Sequence, residues 1–303
     1  MPRADPAPRL SIVTVTFDAA AFIVPFLTAV DAARDAEVVI VDNASHDDTA
    51  VLVRRHLPRA MLMRSSENLG FAGACNQGAA VARGGILLFL NPDTVPPPDA
   101  PRLLWEAVAT RAGTGAVGCK LRFPDGRIQS AGGRLRANGL TGHRGWGEVD
   151  AGQYDQEAVV DYVPGAALAM RRDLFLQMGG FHDGYFPGFY EDLELCWRLR
   201  ERGYDVRYVP VPAIVHQESP SMGTRFDYWL HRNRMLFLAR NPAAPRSART
   251  EAGFLWREQL RPILRATIGL QPRALAHATR RLRNTLAGEC AGAVAAWRAR
   301  RTA

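Results

Sequence analysis

The sequence predicts an α/β protein whose first half is a parallel sheet with crossover helices. Short β-rich runs alternate with helical stretches as far as Asp93, the pattern of a parallel sheet. Three of the first four runs end in polar segments, Thr14 to Asp18, Asp42 to Asp48 and Asn91 to Asp93, where an open sheet meets its ligand. With 303 residues at 47% hydrophobic content, one large domain or one domain plus appendages can bury a substantial core.

In chain order, RLSIVTVTF reads as a strand and Ala19 to Ala33 as a helix. AEVVIVDN is the next strand, followed by a helix beginning around Asp47. The short strand AMLMRSS leads into ENLGFAGACNQGAAVARG, whose small residues suit a tightly packed helix, and GGILLFLNPD is a fourth strand. Cys119 to Asp161, rich in Gly and polar residues, predicts a meander of short strands and loops. VVDYVPGAALAMRRDLF reads as a strand entering a helix, and GGFHDGYFPGFYEDLELCWRLRERGY as a loop before a helix that Gly203 ends. DVRYVPVPAIVHQ is a further strand region closing near His216. No internal repeat is evident.

The longest apolar runs, Val38 to Val41 and Ile86 to Leu90, fall far short of the ~20 residues of a membrane span. The start MPRADPAPRL lacks the apolar stretch of a secretory signal, so cytoplasmic residence is expected. Cys75, Cys119, Cys196 and Cys290 form no CxxC or zinc-finger spacing and read as free thiols. The formal charge of +8 is an arginine effect, since Lys120 is the sole lysine. Ten Arg and three Glu lie from Glu251 onward, so seven of those eight charges belong to the tail. There Arg is mixed with Phe254, Trp256, Leu260, Leu264, Ile268 and Leu270, which suits either an amphipathic helix lying on anionic lipid or a helix packed on the domain with its arginines solvated.

Asp42, Asn43, Asp47 and Asp48 follow the second strand. A carboxylate there can accept the imide N–H of uracil or thymine; alternatively Asn43, Ser45 and Asp47 form a turn and cap the next helix. Gly70, Gly73 and Gly78 lack the GxGxxG spacing of dinucleotide folds. A helix beginning near Gly70 can favour a diphosphate through its unpaired N–H groups, or its small residues can serve close packing. Asp93 ends an apolar strand before Pro96, Pro97 and Pro98, as a metal-bound carboxylate does and as an ordinary turn does. Glu191 and Asp192 open a helix, where one acid can act as a general base kept ionised by the helix dipole or merely cap the helix. His216 can complete a metal site or touch phosphate; it can equally be structural. His231, Arg232, Asn233 and Arg234 suit a diphosphate or a solvated helix face.

In their order and spacing, VTVTF, VDNASHDDT, ENLGFAGACNQG, LFLNPD, GAALAMRRDLF, the FYEDLELCWRLRERGY region and HRNRMLFLARN together resemble the family 2 glycosyltransferases, inverting enzymes with the GT-A fold. The resemblance runs from about Leu10 to Asn241. Within the family it is nearest to rhamnosyltransferase-like members, whose metal motif is often NPD in place of DxD. It implies a GT-A domain over residues 1–245, a nucleotide-binding half at about 10–118, an acceptor half at about 119–245, and a basic amphipathic helical extension at 246–303.

Carried over residue by residue, the resemblance implies that Thr16 and Asp42 lie in the nucleotide pocket. Phe17, Asn43, Asp47, Asn68, Gly70, Phe71, Asn76, Asn91 and Arg232 are the further donor contacts it suggests. Asp93 becomes the ligand of Mg²⁺ or Mn²⁺, and His216 an additional metal or diphosphate contact. The acid pair contains the base, with Asp192 the expected one and Glu191 shaping the acceptor site or holding the loop. Asn91 stands where DxD has its first acid, which implies a water-rich ion site. The QxxRW signature and membrane spans of processive synthases are not apparent, so single-sugar addition is expected. The foremost reading is transfer of L-rhamnose from dTDP-rhamnose to a hydroxyl of a glycan or polyprenyl-linked acceptor in cell-envelope or surface polysaccharide synthesis, at the inner membrane face and without nucleic acid. Alternatives are a galactofuranosyl or other UDP-hexose transferase, a catalytically inactive nucleotide-sugar-binding module, and a nucleotidyltransferase. The last would carry a basic Gly-rich loop after the first strand, which VTVTFDAAAF lacks.

Overall fold

The computed structural model describes residues 9–217, 225–269 and 271–301; Leu270 and the first eight residues lie outside these. The chain divides at Arg134/Leu135, Gly142/His143 and Ser219/Pro220 into two compact units.

The first unit opens with β1 (Leu10–Thr16), α1 (Ile23–Asp31), β2 (Ala36–Asp42), α2 (Thr49–His56), β3 (Met61–Arg64), α3 (Gly70–Val81) and β4 (Ile86–Leu90). β1 pairs in parallel with β2 and β4, and β2 with β3, as the alternating pattern predicts. β4, ILLFL, is buried at every position, the continuous apolar run expected of a strand covered on both faces. Helix α1 buries Ile23, Phe26, Leu27 and Val30, an i, i+3, i+4, i+7 stripe turned toward the sheet. The small residues of α3 serve close approach: a Cβ on Gly78 would sit 2.7 Å from Val13 Cγ1 and 3.2 Å from Val41 Cγ2.

Beyond β4 come β5 (Thr94–Val95), α4 (Ala100–Ala109), β6 (Thr114–Gly118), β7 (Leu121–Arg122), β8 (Ile128–Ser130), β9 (Gly133–Leu135), β10 (Thr141–His143), β11 (Ala158–Val159), β12 (Ala167–Arg171), α5 (Arg172–Gln177), α6 (Glu191–Glu201), β13 (Asp205–Tyr208) and β14 (Ile214–His216). The main sheet has the order β11-β13-β6-β12-β4-β1-β2-β3. It is mixed, because β12 runs antiparallel to both β4 and β6. The meander expected between Cys119 and Asp161 is present as five strands of two or three residues. A small second sheet, β5-β14-β7-β8, stands after the end of β4. In it β14 runs antiparallel to β5, placing His216 opposite Thr94.

The second unit takes in residues 135–142, between and within β9 and β10, and contains α7 (Phe226–Arg240), α8 (Ala248–Phe254), a π-helical segment (Leu255–Leu260), α9 (Arg261–Ile268) and α10 (Pro272–Arg301). Gly288 and Gly292, four apart on α10, let it lie directly on α7: a Cβ on either would strike the carbonyl oxygen of Tyr228 or Arg232. The solvated-face reading of α7 does not hold, since His231, Asn233 and Arg234 are buried. The Arg234 guanidinium binds Glu251 at 2.9 Å and Glu289 at 3.0 Å. Burying a charge demands such partners, so this arginine is committed to holding the unit together. No helix among the described residues is long and apolar enough to cross a membrane.

Candidate active site

The candidate site lies at the carboxyl ends of β1, β2 and β4. Parallel register places Thr16 beside Asp42 and Asp42 beside Arg64. Asp42 is fully buried. Its Oδ2 accepts from Arg64 Nε at 2.9 Å, while Oδ1 accepts from the Ser45 amide at 3.2 Å and lies 3.5 Å from Thr16 Oγ1. A carboxylate offers about four lone-pair sites, so little of its accepting capacity remains beyond these three donors. Arg64 was not evident as a site residue from the sequence; only the register of three adjacent strands reveals it.

The neighbouring polar residues mostly build the loops. Asn43 Nδ2 donates to Asn68 Oδ1 and to the Gly70 carbonyl, and Asn43 Oδ1 accepts from the Leu69 amide. Asp47 receives the Ala20 amide together with the amide and hydroxyl of Thr49. Burial works against its ionisation, but these bonds prevail and hold the carboxyl below its usual range. Phe17 is exposed, edge-on to the His46 ring.

The start of α3 corrects one expectation. Three of the four N–H groups that a helix start would offer a diphosphate are taken: Leu69 N–H by Asn43, Gly70 N–H by Asn68 Oδ1, and Phe71 N–H by the Pro187 carbonyl. Gly70 has φ +70°, and a Cβ there would lie 2.8 Å from the Phe186 ring, so the helix start and the loop before α6 are pressed together. Asn76 completes the junction by gripping the Phe181 backbone through both ends of its amide, at 2.7 and 2.9 Å. Phe71 packs on Phe181 with ring centroids 5.8 Å apart.

At the end of β4, Asp93 and His216 meet, with Oδ1 and Nε2 3.2 Å apart and both side chains largely buried. Asn91 Nδ2 is 3.3 Å from the same ring nitrogen. On the other side, His216 Nδ1 is 2.8 Å from Gln129 Oε1 on β8. Donation from Nδ1 to that oxygen would leave the Nε2 lone pair turned toward the carboxylate. A carboxylate oxygen and an imidazole nitrogen so placed fit a shared divalent cation, which takes few protein ligands when phosphate and water complete its shell. Among the described residues no group of three or more His, Cys, Asp and Glu is disposed around a metal. Nearby, His143 is pushed down to about 4, first by burial and then by His216.

The acids of α6 occupy unlike environments. Phe189 and Tyr190, at φ 74° and 78°, turn the chain sharply into the helix in a conformation that costs non-glycine residues about 1–3 kcal/mol each. Glu191 is buried with Oε2 unpartnered among the described residues, whereas Asp192 keeps partial exposure. Asp192 Oδ2 accepts from Gly165 N–H at 2.9 Å, and its Oδ1 from its own helix at Leu193. Burial raises the pKa of both acids, and the charge of Asp192 pushes Glu191 further, well above the carboxylate range. Dehydration therefore outweighs the helix dipole that the sequence reading relied on.

The two acidic centres are joined through one segment. The Asn91 amide donates to the Ala166 carbonyl, and the adjacent Gly165 amide holds Asp192. A Cβ on Gly165 would lie 3.0 Å from the Phe71 ring and 3.7 Å from Asp192 Cβ. Gly165 and Gln129 are the other participants that sequence spacing did not single out. Arg232 belongs to the second unit, half-buried on α7, where its Nη1 donates to Asn233 Oδ1 at 2.7 Å.

A mixed sheet flanked by helices, with acids at its strand ends, defines the GT-A architecture, and solved structures share it. A mannosyltransferase from Pyrobaculum calidifontis in complex with GDP-Man and Mn²⁺ superposes with TM-score 0.55 at 21% identity, covering 96% of this chain and 86% of that one. GalNAc-T7 with UDP, GalNAc and Mn²⁺ gives 0.58 at 15% identity, over 82% and 54%. The glycosyl transferase family 2 model matches residues 11–176, and the chain belongs to that family. It is 32% identical over 208 residues to the O-antigen biosynthesis protein RfbC of Myxococcus xanthus, covering 64% of this chain. It is 27% identical over 290 residues to the N-acetylglucosaminyl-diphospho-decaprenol L-rhamnosyltransferase of Mycobacterium tuberculosis, covering 86% of this chain and 91% of that protein. The chain spans only 16% of RfbC and 22% of a Sinorhizobium fredii relative of unassigned function that is 31% identical to it and matches 62% of this chain.

Proposed function

We propose that the protein is a non-processive inverting glycosyltransferase that moves L-rhamnose from dTDP-rhamnose to a hydroxyl of a polyprenyl-diphosphate-linked glycan in envelope polysaccharide synthesis. The observation that carries the transferase reading is the shared Gly165–Ala166 segment, which holds the Asn91–Asp93 turn and Asp192 to adjacent peptide groups; the rhamnose donor and the lipid-linked acceptor follow from the likeness to the L-rhamnosyltransferase. The donor's departing diphosphate belongs at Asp93 and the acceptor hydroxyl at Asp192.

Asp192 takes the acceptor's proton as that hydroxyl attacks the anomeric carbon opposite the leaving group. Its partial exposure and raised pKa suit a base working near neutrality. Glu191, buried and more strongly raised, shapes the floor beneath it. Thr16 and Asp42 bound the nucleobase end, while Asn43, Asn68, Gly70, Phe71 and Asn76 hold the walls. Phe17, Asp47 and Asn91 complete the donor surface. Asp93 and His216 would hold a Mg²⁺ or Mn²⁺ ion, which supplies charge neutralisation on the leaving diphosphate when bound.

The second unit supports a peripheral position on an anionic membrane. Trp256, Leu260, Leu264 and Ile268 recur every four residues and are 46–74% exposed, with Arg257, Arg261 and Arg265 beside them. Interfacial helices combine apolar and basic residues in this way.

The test is a thermal-shift panel of nucleotide sugars with Mn²⁺, in which the cognate donor stabilises the native state, followed by transfer assays on a diphospholipid-linked N-acetylglucosamine acceptor. Stabilisation and turnover with dTDP-rhamnose are expected. A response confined to UDP-galactofuranose would replace the donor, and donor binding without turnover on any acceptor would favour a binding module.

A further inference from the structure

The second unit carries a basic cleft of about 420 Å³ lined by Arg225, Tyr228, Trp229, Arg280, Arg283 and Asn284. Its residues come from two elements. Arg225 is the N-cap of the fifteen-residue helix α7, and Tyr228 and Trp229 lie in that helix's first turns. Arg280, Arg283 and Asn284 follow the i, i+3, i+4 spacing that puts them on one face of α10.

Three features of the cleft point to an anion. Among the described residues none of its three arginines makes an ion pair; the nearby Asp227 is paired with Arg281 at 3.4 Å, and Arg280 only approaches His277. The α7 N-terminus has no side-chain cap at Arg225, so the helix adds the positive end of its dipole to the guanidinium charge. Guanidinium forks match phosphate oxygens two at a time. Beside them stand the rings of Tyr228 and Trp229, with centroids 4.9 Å apart and nearly perpendicular, a surface suited to an apolar chain and not to a free ion.

We infer that this cleft is a binding site for a diphosphate carried on a lipid, with Arg225, Arg280 and Arg283 on the phosphates and Tyr228 and Trp229 against the first units of the chain. The inference rests on the reading that the acceptor is diphospholipid-linked. No residue of the cleft takes part in the nucleotide-sugar site of the first unit.

Isothermal titration of the full chain with farnesyl diphosphate, inorganic pyrophosphate and dTDP-rhamnose tests it, alongside an Arg280→Ala/Arg283→Ala variant. Both arginines are exposed, so their truncation leaves the packed interface of α10 intact; an Arg280→Lys/Arg283→Lys variant that keeps the charge serves as a second probe. Losing two charge-assisted contacts is expected to weaken farnesyl diphosphate at least about tenfold while donor binding stays within about twofold. The Lys pair should recover part of the loss. Unchanged farnesyl diphosphate affinity in the Ala variant would overturn the site. Inorganic pyrophosphate binding as tightly as farnesyl diphosphate would overturn the lipid part of the assignment, and displacement of farnesyl diphosphate by phosphatidylglycerol vesicles would reassign the cleft to general phospholipid. Turnover with dTDP-rhamnose on the diphospholipid-linked acceptor, read in parallel on the wild type, tests the proposed activity by itself: turnover with unchanged farnesyl diphosphate affinity in the Ala variant removes the cleft alone, and no donor binding removes the activity alone.

Discussion

The two ends of the candidate site solve the problem of a buried carboxylate in opposite ways. At the end of β2, Asp42 is saturated: Arg64, the Ser45 amide and Thr16 surround it, and Asn43 and Asp47 spend their polar atoms on loop amides. At the start of α6, Glu191 lacks a partner for Oε2 among the described residues, and Asp192 receives only backbone amides among its hydrogen bonds. Saturation yields a rigid wall. Incomplete solvation raises the pKa and leaves a carboxylate ready to take a proton. Under the proposed function the first region serves recognition and the second proton transfer.

The sharpest way to break that contrast is Asp192→Asn. If Asp192 is the base, transfer rates should fall about 10²–10⁴-fold while donor affinity by titration stays unchanged; near-normal turnover would move the base elsewhere. Next is Asp93→Ala, or chelation of the wild type. Either should stop transfer, and the substitution should also remove the metal dependence of nucleotide binding. Chelator-resistant activity would take the ion out of the mechanism.

A smaller effect is expected at the saturated end. Arg64→Ala leaves Asp42 buried without its cation, and chemical denaturation should show a loss of about 1–3 kcal/mol, moderated because Arg64 is half exposed. No stability change would mean that water replaces the guanidinium.

The mildest probe is Glu191→Gln. Because the folded-state pKa of Glu191 is raised, the acid's contribution to stability is fully present below its unfolded value of about 4.5 and is lost as pH rises through the folded value. The amide does not ionise, so the variant should melt higher than wild type at pH 8 and equally at pH 4. A difference independent of pH would show that Glu191 is not the titrating group.

Much of this protein was legible in its sequence, for identifiable reasons. Periodicity revealed β1, β2, β3 and β4 because apolar runs with β-branched residues leave a local signature, and α6 announced itself by acids in its first turn and Gly203 after its last. α4 and β6 left weaker marks. The meander was readable only as a region, since two-residue strands take their identity from their partners.

The sequence by itself determined that acids stand after β4 and at the start of α6, because strand ends and helix starts are local properties. It also determined that the net charge lies in the tail. Tertiary structure alone decided which of those groups meet. The antiparallel pairing of β14 with β5 sets His216 against Asp93, across more than a hundred positions of chain. The segment before β12 ties Asn91 to Asp192, and α7 closes on Glu251 and Glu289 in place of solvent. Burial, which raises the pKa of Glu191 and Asp192 against the helix dipole, is likewise a sum over neighbours from many elements. No local stretch of sequence contains that sum, because dehydration depends on everything that packs around a group and not on the residues beside it in the chain.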